Sequence, residues 1–123
     1  MEQAELARWL RDYVEAWRSY DVDQIEALFT EDARYRYHPY DDWLEGRDEI
    51  VKSWLSEQDD PESWDAAYEP LAIDGEVAIA TGTSRYTHPD GSIRIIYENC
   101  FVIRFAADGR CAEFTEWFMA RPG

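Results

Sequence analysis

Tyr97-Glu98-Asn99-Cys100-Phe101-Val102-Ile103-Arg104-Phe105 and Cys111-Ala112-Glu113-Phe114-Thr115-Glu116-Trp117-Phe118 are two runs rich in aromatic and β-branched residues, with Asp108-Gly109 between them. Asp-Gly between such runs is a strong short-range hairpin signal, because tight turns demand positive φ that Gly adopts at no steric cost. A two-residue turn there sets Phe101 opposite Glu116, Asn99 opposite Phe118 and Arg104 opposite Glu113. The last pair joins opposite charges across the strands, worth a few tenths of a kcal/mol up to ~1, and favours this register over its neighbour. A three-residue turn with a bulge would swap the faces of the final strand.

Working outward, Asp74-Gly75 and Asp90-Gly91 repeat the signal, so strands are predicted over about 64–73, 76–87, 92–105 and 110–120, an antiparallel meander. With a two-residue turn at Asp90-Gly91, Gly82 lies opposite Asn99, Ala80 opposite Phe101 and Ser84 opposite Tyr97. One face then carries Gly82, Ser84, Tyr97, Asn99, Phe101, Phe114, Glu116 and Phe118. A bulge near Gly75 would add Trp64, Ala66 and Tyr68 to it and keep Asp65 and Glu69 out of the interior. Cys111 falls opposite Ala106, ~20 Å along the strands from Cys100 at ~3.4 Å per residue, too far for a disulfide. Two free thiols fit a reducing compartment.

Upstream the periodicity is helical. Leu6, Trp9, Leu10, Tyr13, Val14, Trp17 and Tyr20 follow the three-and-four spacing of an amphipathic helix. Asp21 with Gln24 forms a capping pair for a short second helix that turns Ile25, Leu28 and Phe29 inward. After Ala33, Tyr35 and Tyr37 alternate with Arg34 and Arg36 in a short strand that ends at His38-Pro39. Gly46 precedes a third helix, about 47–58, with Ile50, Val51, Trp54 and Leu55 on one face. Helices first and strands afterwards make an α+β fold in which helices pack one face of a curved sheet, and 123 residues make a single domain, 1–123.

Composition narrows the function classes. With 27 acidic and 12 basic side chains the net charge is -15, which disfavours nucleic acid and anionic membranes as partners. No apolar run of ~18 residues is present and the N-terminus lacks the basic-then-apolar order of a signal peptide, so a cytoplasmic location is expected. Two distant histidines give no pair at metal-ligand spacing, and no glycine-rich phosphate loop or serine elbow occurs, so neither metal nor cofactor is expected. Aromatic residues make up 15% of the chain, enough to wall a cavity as well as fill a core.

Three segments carry a family resemblance: Tyr13-Val14-Glu15-Ala16-Trp17, then Asp21 to Ala33, then Glu45-Gly46-Arg47-Asp48-Glu49-Ile50. With the closing Asp108-Gly109-Arg110 turn and Glu113-Phe114-Thr115-Glu116-Trp117, the chain resembles the nuclear transport factor 2-like superfamily, in its SnoaL-like and ketosteroid isomerase-like branch. The resemblance implies a cone: a curved antiparallel sheet wrapped around three N-terminal helices, a cystatin-like α+β roll with a pocket at its open end. It implies that Tyr13 matches the tyrosine that hydrogen-bonds the enolate oxygen in ketosteroid isomerases and that His38 matches their aspartate base. Their second oxyanion donor falls near Phe101, with Asn99 one inward step away. Against limonene epoxide hydrolase, Glu116 matches one of two catalytic carboxylates, while the arginine and the other aspartate fall on Gly82 and Ser84. Members of the family often dimerise through the outer sheet face.

The chemistry expected is metal-free. A histidine ordinarily titrates near ~6.5, so His38 can act as a base at neutral pH, with Tyr13, Asn99 or Glu116 as its partners. Around them the pocket is expected to be walled by Trp17, Tyr37, Trp54, Trp64 and Tyr68, together with Gly82, Ser84, Tyr97, Phe101, Phe114 and Phe118. Gly82 beside Asn99 would leave room for a polar atom of a ligand. The leading expectation is acid-base chemistry on a small, mostly apolar molecule, of the isomerase, cyclase or dehydratase type. A non-catalytic binding or dimerisation module and a hydrolase that activates water through Glu116 stand as alternatives. Cys100, Val102, Thr115, Trp117 and Met119 on the outer face predict a homodimer.

Overall fold

The structure, a computed structural model, describes residues 1–123. Helix α1 (Gln3–Ser19) opens with the Glu5 side chain accepting from the Glu2 N–H at 3.1 Å, and it buries Leu6, Trp9, Leu10, Tyr13 and Ala16. Helix α2 (Val22–Leu28) starts where predicted, with the Asp21 carboxylate accepting from the Gln24 N–H at 3.1 Å. Strand β1 (Phe29–Arg36) follows at once, five residues ahead of the expected start at Arg34, because Phe29 and Ala33 are already buried in the core. The two-residue β2 (Leu44–Glu45) leads into α3 (Arg47–Ser56), which ends two residues early. The strands β3 (Trp64–Asp74), β4 (Val77–Thr87), β5 (Ile93–Phe105) and β6 (Cys111–Ala120) complete the chain.

The six strands form one curved, unclosed sheet in the order β2-β1-β6-β5-β4-β3, with the helices against its concave face. This is the expected α+β cone. Every neighbouring pair is antiparallel except β1 and β6, which run parallel, so the sheet is mixed. That pairing joins residues 79 apart in sequence, Arg34 and Glu113, and no turn signal could announce it. Nineteen buried residues, among them Trp9, Tyr13, Phe101 and Phe114, form one cluster between helices and sheet. At about 1.5–3 kcal/mol for each large apolar side chain removed from water, this cluster is the main force holding the cone together.

The register is the predicted one through the body of the sheet: Gly82 pairs with Asn99, Ala80 with Phe101, Phe101 with Glu116 and Arg104 with Glu113. Its origin differs from the expectation. At both later turns the loop has three residues, with His88 N–H donating to Ser92 C=O and Ala106 N–H to Arg110 C=O, and with Gly91 and Gly109 at φ 88 and 87. A second irregularity beside each turn, between Tyr86 and Thr87 and between Arg104 and Phe105, returns the alternation to the two-residue register. Cys111 consequently pairs with Phe105, not Ala106, and both are buried. The cysteines are free. In the first hairpin the shift lies between Pro70 and Ala72, a few residues before Gly75, and it turns Trp64 inward. On the outer face Thr115 is buried, contrary to its place in the expected exposed patch, because Arg36 donates to its Oγ1 at 3.1 Å while stacking on Trp43. No helix is long and apolar enough to cross a membrane.

Candidate functional site

A cavity of about 500 Å³ opens at one end of the cone, within the range of small-molecule sites. Ten of its 18 lining residues are aromatic. Helix α1 supplies Tyr13 and Trp17, β1 supplies Tyr35, Tyr37 follows that strand, and α3 supplies Ser53 and Trp54. The sheet contributes Tyr68, Ser84, Asn99 and Glu116. Their burial marks this as the inner end, whereas Ser56, Glu57, Arg94 and Phe118 are exposed at the mouth.

At the inner end the hydrogen bonds have a direction. Ser84 Oγ donates to Asn99 Oδ1 at 2.9 Å, and Asn99 Nδ2 donates to Glu116 Oε2 at 2.6 Å. Because the single serine proton is committed to Asn99, the Tyr68 hydroxyl is the donor in its 2.6 Å bond to Ser84. Tyr68, Ser84 and Asn99 therefore form a file of donors ending at the carboxylate. Glu116 Oε1 has no protein partner. Burial pushes Glu116 up to about 7, against the opposing pull of the Asn99 bond and the attraction of His38. Burial also raises Tyr13, Tyr35 and Tyr68, with further raising from the Glu116 charge in each, so these hydroxyls remain proton donors. Tyr13 and Tyr35 share a 3.1 Å bond, and Tyr37 pairs with Ser53 at 2.9 Å.

The mouth is built around a backbone outlier. Tyr20 caps α1 at φ 51, the one non-glycine residue with positive φ, and its hydroxyl accepts the Asp59 N–H at 2.8 Å. Trp17 donates to Asp59 Oδ2 at 3.1 Å, so the loop after α3 is pinned to α1 on two sides.

The profile of the SnoaL-like domain family matches residues 10–114. The chain belongs to the SnoaL-like domain family. Solved structures agree in fold. A putative ketosteroid isomerase from Kribbella flavida superposes with a TM-score of 0.70 at 18% identity, covering 98% of this chain and 82% of the other. An LEH-like epoxide hydrolase of M. tuberculosis gives 0.69 at 17%, covering 97% and 86%. A ketosteroid isomerase-like protein from Erwinia carotovora gives 0.65 at 21%, covering 98% of each. No curated protein matches the sequence.

In this SnoaL-like domain the structure brings Tyr13 from α1 and Asn99 and Glu116 from the sheet to one cavity, with Trp17, Tyr37, Trp54, Tyr68, Ser84, Tyr97 and Phe118 around them. His38 stands outside the wall. Its ring lies 4.9 Å from Phe118 and 5.0 Å from Tyr40, and its Nδ1 donates to Asp41 Oδ2 at 2.8 Å. Four residues expected to line the cavity lie behind it. Phe101 and Phe114 pack against each other in the core, ring centroids 4.8 Å apart and tilted by 49°, and Trp64 is covered by Trp17 at 3.6 Å. Gly82 makes no room for a ligand, because Tyr68 occupies that space: a Cβ there would collide with the Ala67 carbonyl and come within 2.5 Å of the Tyr68 ring. Asn99 likewise spends both ends of its amide on Ser84 and Glu116.

The sequence did not place Tyr20, Tyr35, Ser53, Ser56, Glu57, Asp59, Tyr86 and Arg94 in the cavity. Tyr35 and Tyr86 carried a signal in their strand alternation, Tyr35 two residues before Tyr37 and Tyr86 two after Ser84. Asp59 sits in a loop, and nothing in the chain beforehand shows that Tyr20 will draw it to the mouth.

Proposed function

We propose that the cavity takes a small, largely apolar molecule and that Glu116 exchanges a proton with it. The observation that carries this reading is a carboxylate at about 7 in an aromatic cavity, held at Oε2 by Asn99 and open at Oε1. A group balanced there can give and take a proton at neutral pH, which is what isomerisation through an enolate or activation of a water requires. Tyr13 and Tyr35 share one bond, which leaves one of their two hydroxyl protons to donate toward negative charge that develops on an oxygen. Asn99, Ser84 and Tyr68 position Glu116. The similarity to an epoxide hydrolase-like and two ketosteroid isomerase-like structures supports acid-base chemistry as the class.

One observation favours a second reading, with His38 as the base. The Asp41 carboxylate can only accept, so it fixes the histidine proton on Nδ1 and leaves Nε2 free. The two readings separate on a panel of small epoxides and enolisable ketones. Glu116→Gln is expected to lower turnover by about 10²-fold or more, since general acid-base groups contribute ~10²–10⁴, and the pH-rate profile should bend near 7. His38→Ala should keep most of the rate. The reverse result makes His38 the base, and indifference to both leaves a binding site without catalysis.

A further inference from the structure

We infer that the molecule this cavity takes is a cation, a protonated or quaternary amine on a compact apolar body. This rests on the reading of the cavity as a small-molecule site and names the ligand's charge. The ten aromatic residues of the wall present rings whose faces are electron-rich, and a desolvated cation is drawn to such faces. At the exposed mouth a cation already lies over such a face: the Arg94 guanidinium is 5.1 Å from the Tyr86 ring centroid.

The ionisable groups point the same way. Three carboxylates line the cavity, Glu116 inside with Glu57 and Asp59 toward the mouth, and Arg94 is the one cationic side chain among the 18. Arg94 is exposed and takes part in no ion pair, so it does not neutralise the inner carboxylate. An anionic ligand would meet carboxylates with no ammonium or guanidinium at the inner end to receive it. A neutral ligand would exclude water from Glu116 and drive it to take up a proton, whereas an ammonium would place a counter-charge beside Oε1 and keep the carboxylate ionised. At long range the net charge of -15 raises the local concentration of cations and lowers that of anions.

Two probes that differ only in charge decide the matter: 4-(trimethylammonio)benzyl alcohol and its neutral isostere 4-tert-butylbenzyl alcohol. Binding to the full chain is read at pH 8 by calorimetry and by quenching of the wall tryptophans Trp17 and Trp54. The ammonium compound is expected to bind at least 10-fold more tightly than the neutral one. Glu116→Gln should reduce that preference several-fold while still binding the neutral alcohol, which shows that the variant is folded. Equal or tighter binding of the neutral alcohol by the unaltered chain overturns the cationic assignment and leaves the small-molecule site standing. Failure of both probes to bind at millimolar concentration removes both.

Discussion

Above neutrality Glu116 is a cost to folding. Its value of about 7 in the folded state exceeds the ordinary carboxylate value of 4.5, so the folded chain binds the proton more tightly than the unfolded one. Stability from this group is complete below about 4.5 and declines as the pH rises through about 7. The loss is on the order of 3 kcal/mol. Glu116→Gln, which keeps an acceptor for Asn99, should therefore raise the melting temperature by several degrees at pH 8 and leave it unchanged at pH 4. A variant less stable than the parent at pH 8 would show that the charged form is favoured by contacts beyond the Asn99 bond. Glu113 has the opposite sign: hydrogen bonding to Arg34 first, and the charges of Arg34 and Arg104 with it, hold it below the usual range, so its contribution is lost on acidification. Glu116 was legible in the sequence because period-two alternation puts it on the inner face. His38 lies beside the cavity with its ring against Phe118, a placement set by the loop after β1 that alternation along a strand does not determine.

The β4 strand shows what an element-level reading can and cannot reach. Pairing Gly82 with Asn99 followed from counting residues back from a turn, and the count survived a wrong turn type because each three-residue loop is accompanied by a compensating shift. What fills the space over Gly82 could not be counted. It depends on the shift between Pro70 and Ala72, which sets Tyr68 directly across from Gly82. Tyr68 reaches Ser84 only because β3 comes this close, so Gly82 serves the donor file from a distance. Gly82→Ala drives a Cβ against the backbone of the neighbouring strand, where nothing flexible can yield. We expect a loss of about 2 kcal/mol or more in denaturant unfolding, together with weakened ligand binding as Tyr68 is displaced. A variant within ~0.5 kcal/mol of the parent would mean that β3 moves aside freely, and Tyr68 would then not be a fixed part of the wall.

At the scale of the whole molecule, the charge that suits the cavity to cations opposes self-association. We propose that two copies nevertheless pair through the outer sheet face, where Trp117 is 42% and Met119 70% exposed beside the half-buried Cys100 and Val102. With Thr115 sealed under Arg36, this patch is narrower than the sequence implied and centres on Trp117. A two-fold contact would set each Trp117 near its counterpart, replacing water over the largest exposed ring of the face. Each chain brings a net charge of -15, so the copies repel unless salt screens them. The screening length falls from about 10 Å at 0.1 M to ~3 Å at 1 M. Apolar contact with charge repulsion gives a definite salt dependence: sedimentation should show dimer increasing from 0.05 to 0.5 M salt, the reverse of an interface held by ion pairs. Trp117→Arg should shift the mass toward one chain at micromolar concentration in high salt, where repulsion no longer masks the loss of contact. A parent chain that sediments as a single copy at 0.5 M salt, or a Trp117→Arg variant that still pairs, would place any assembly on another face.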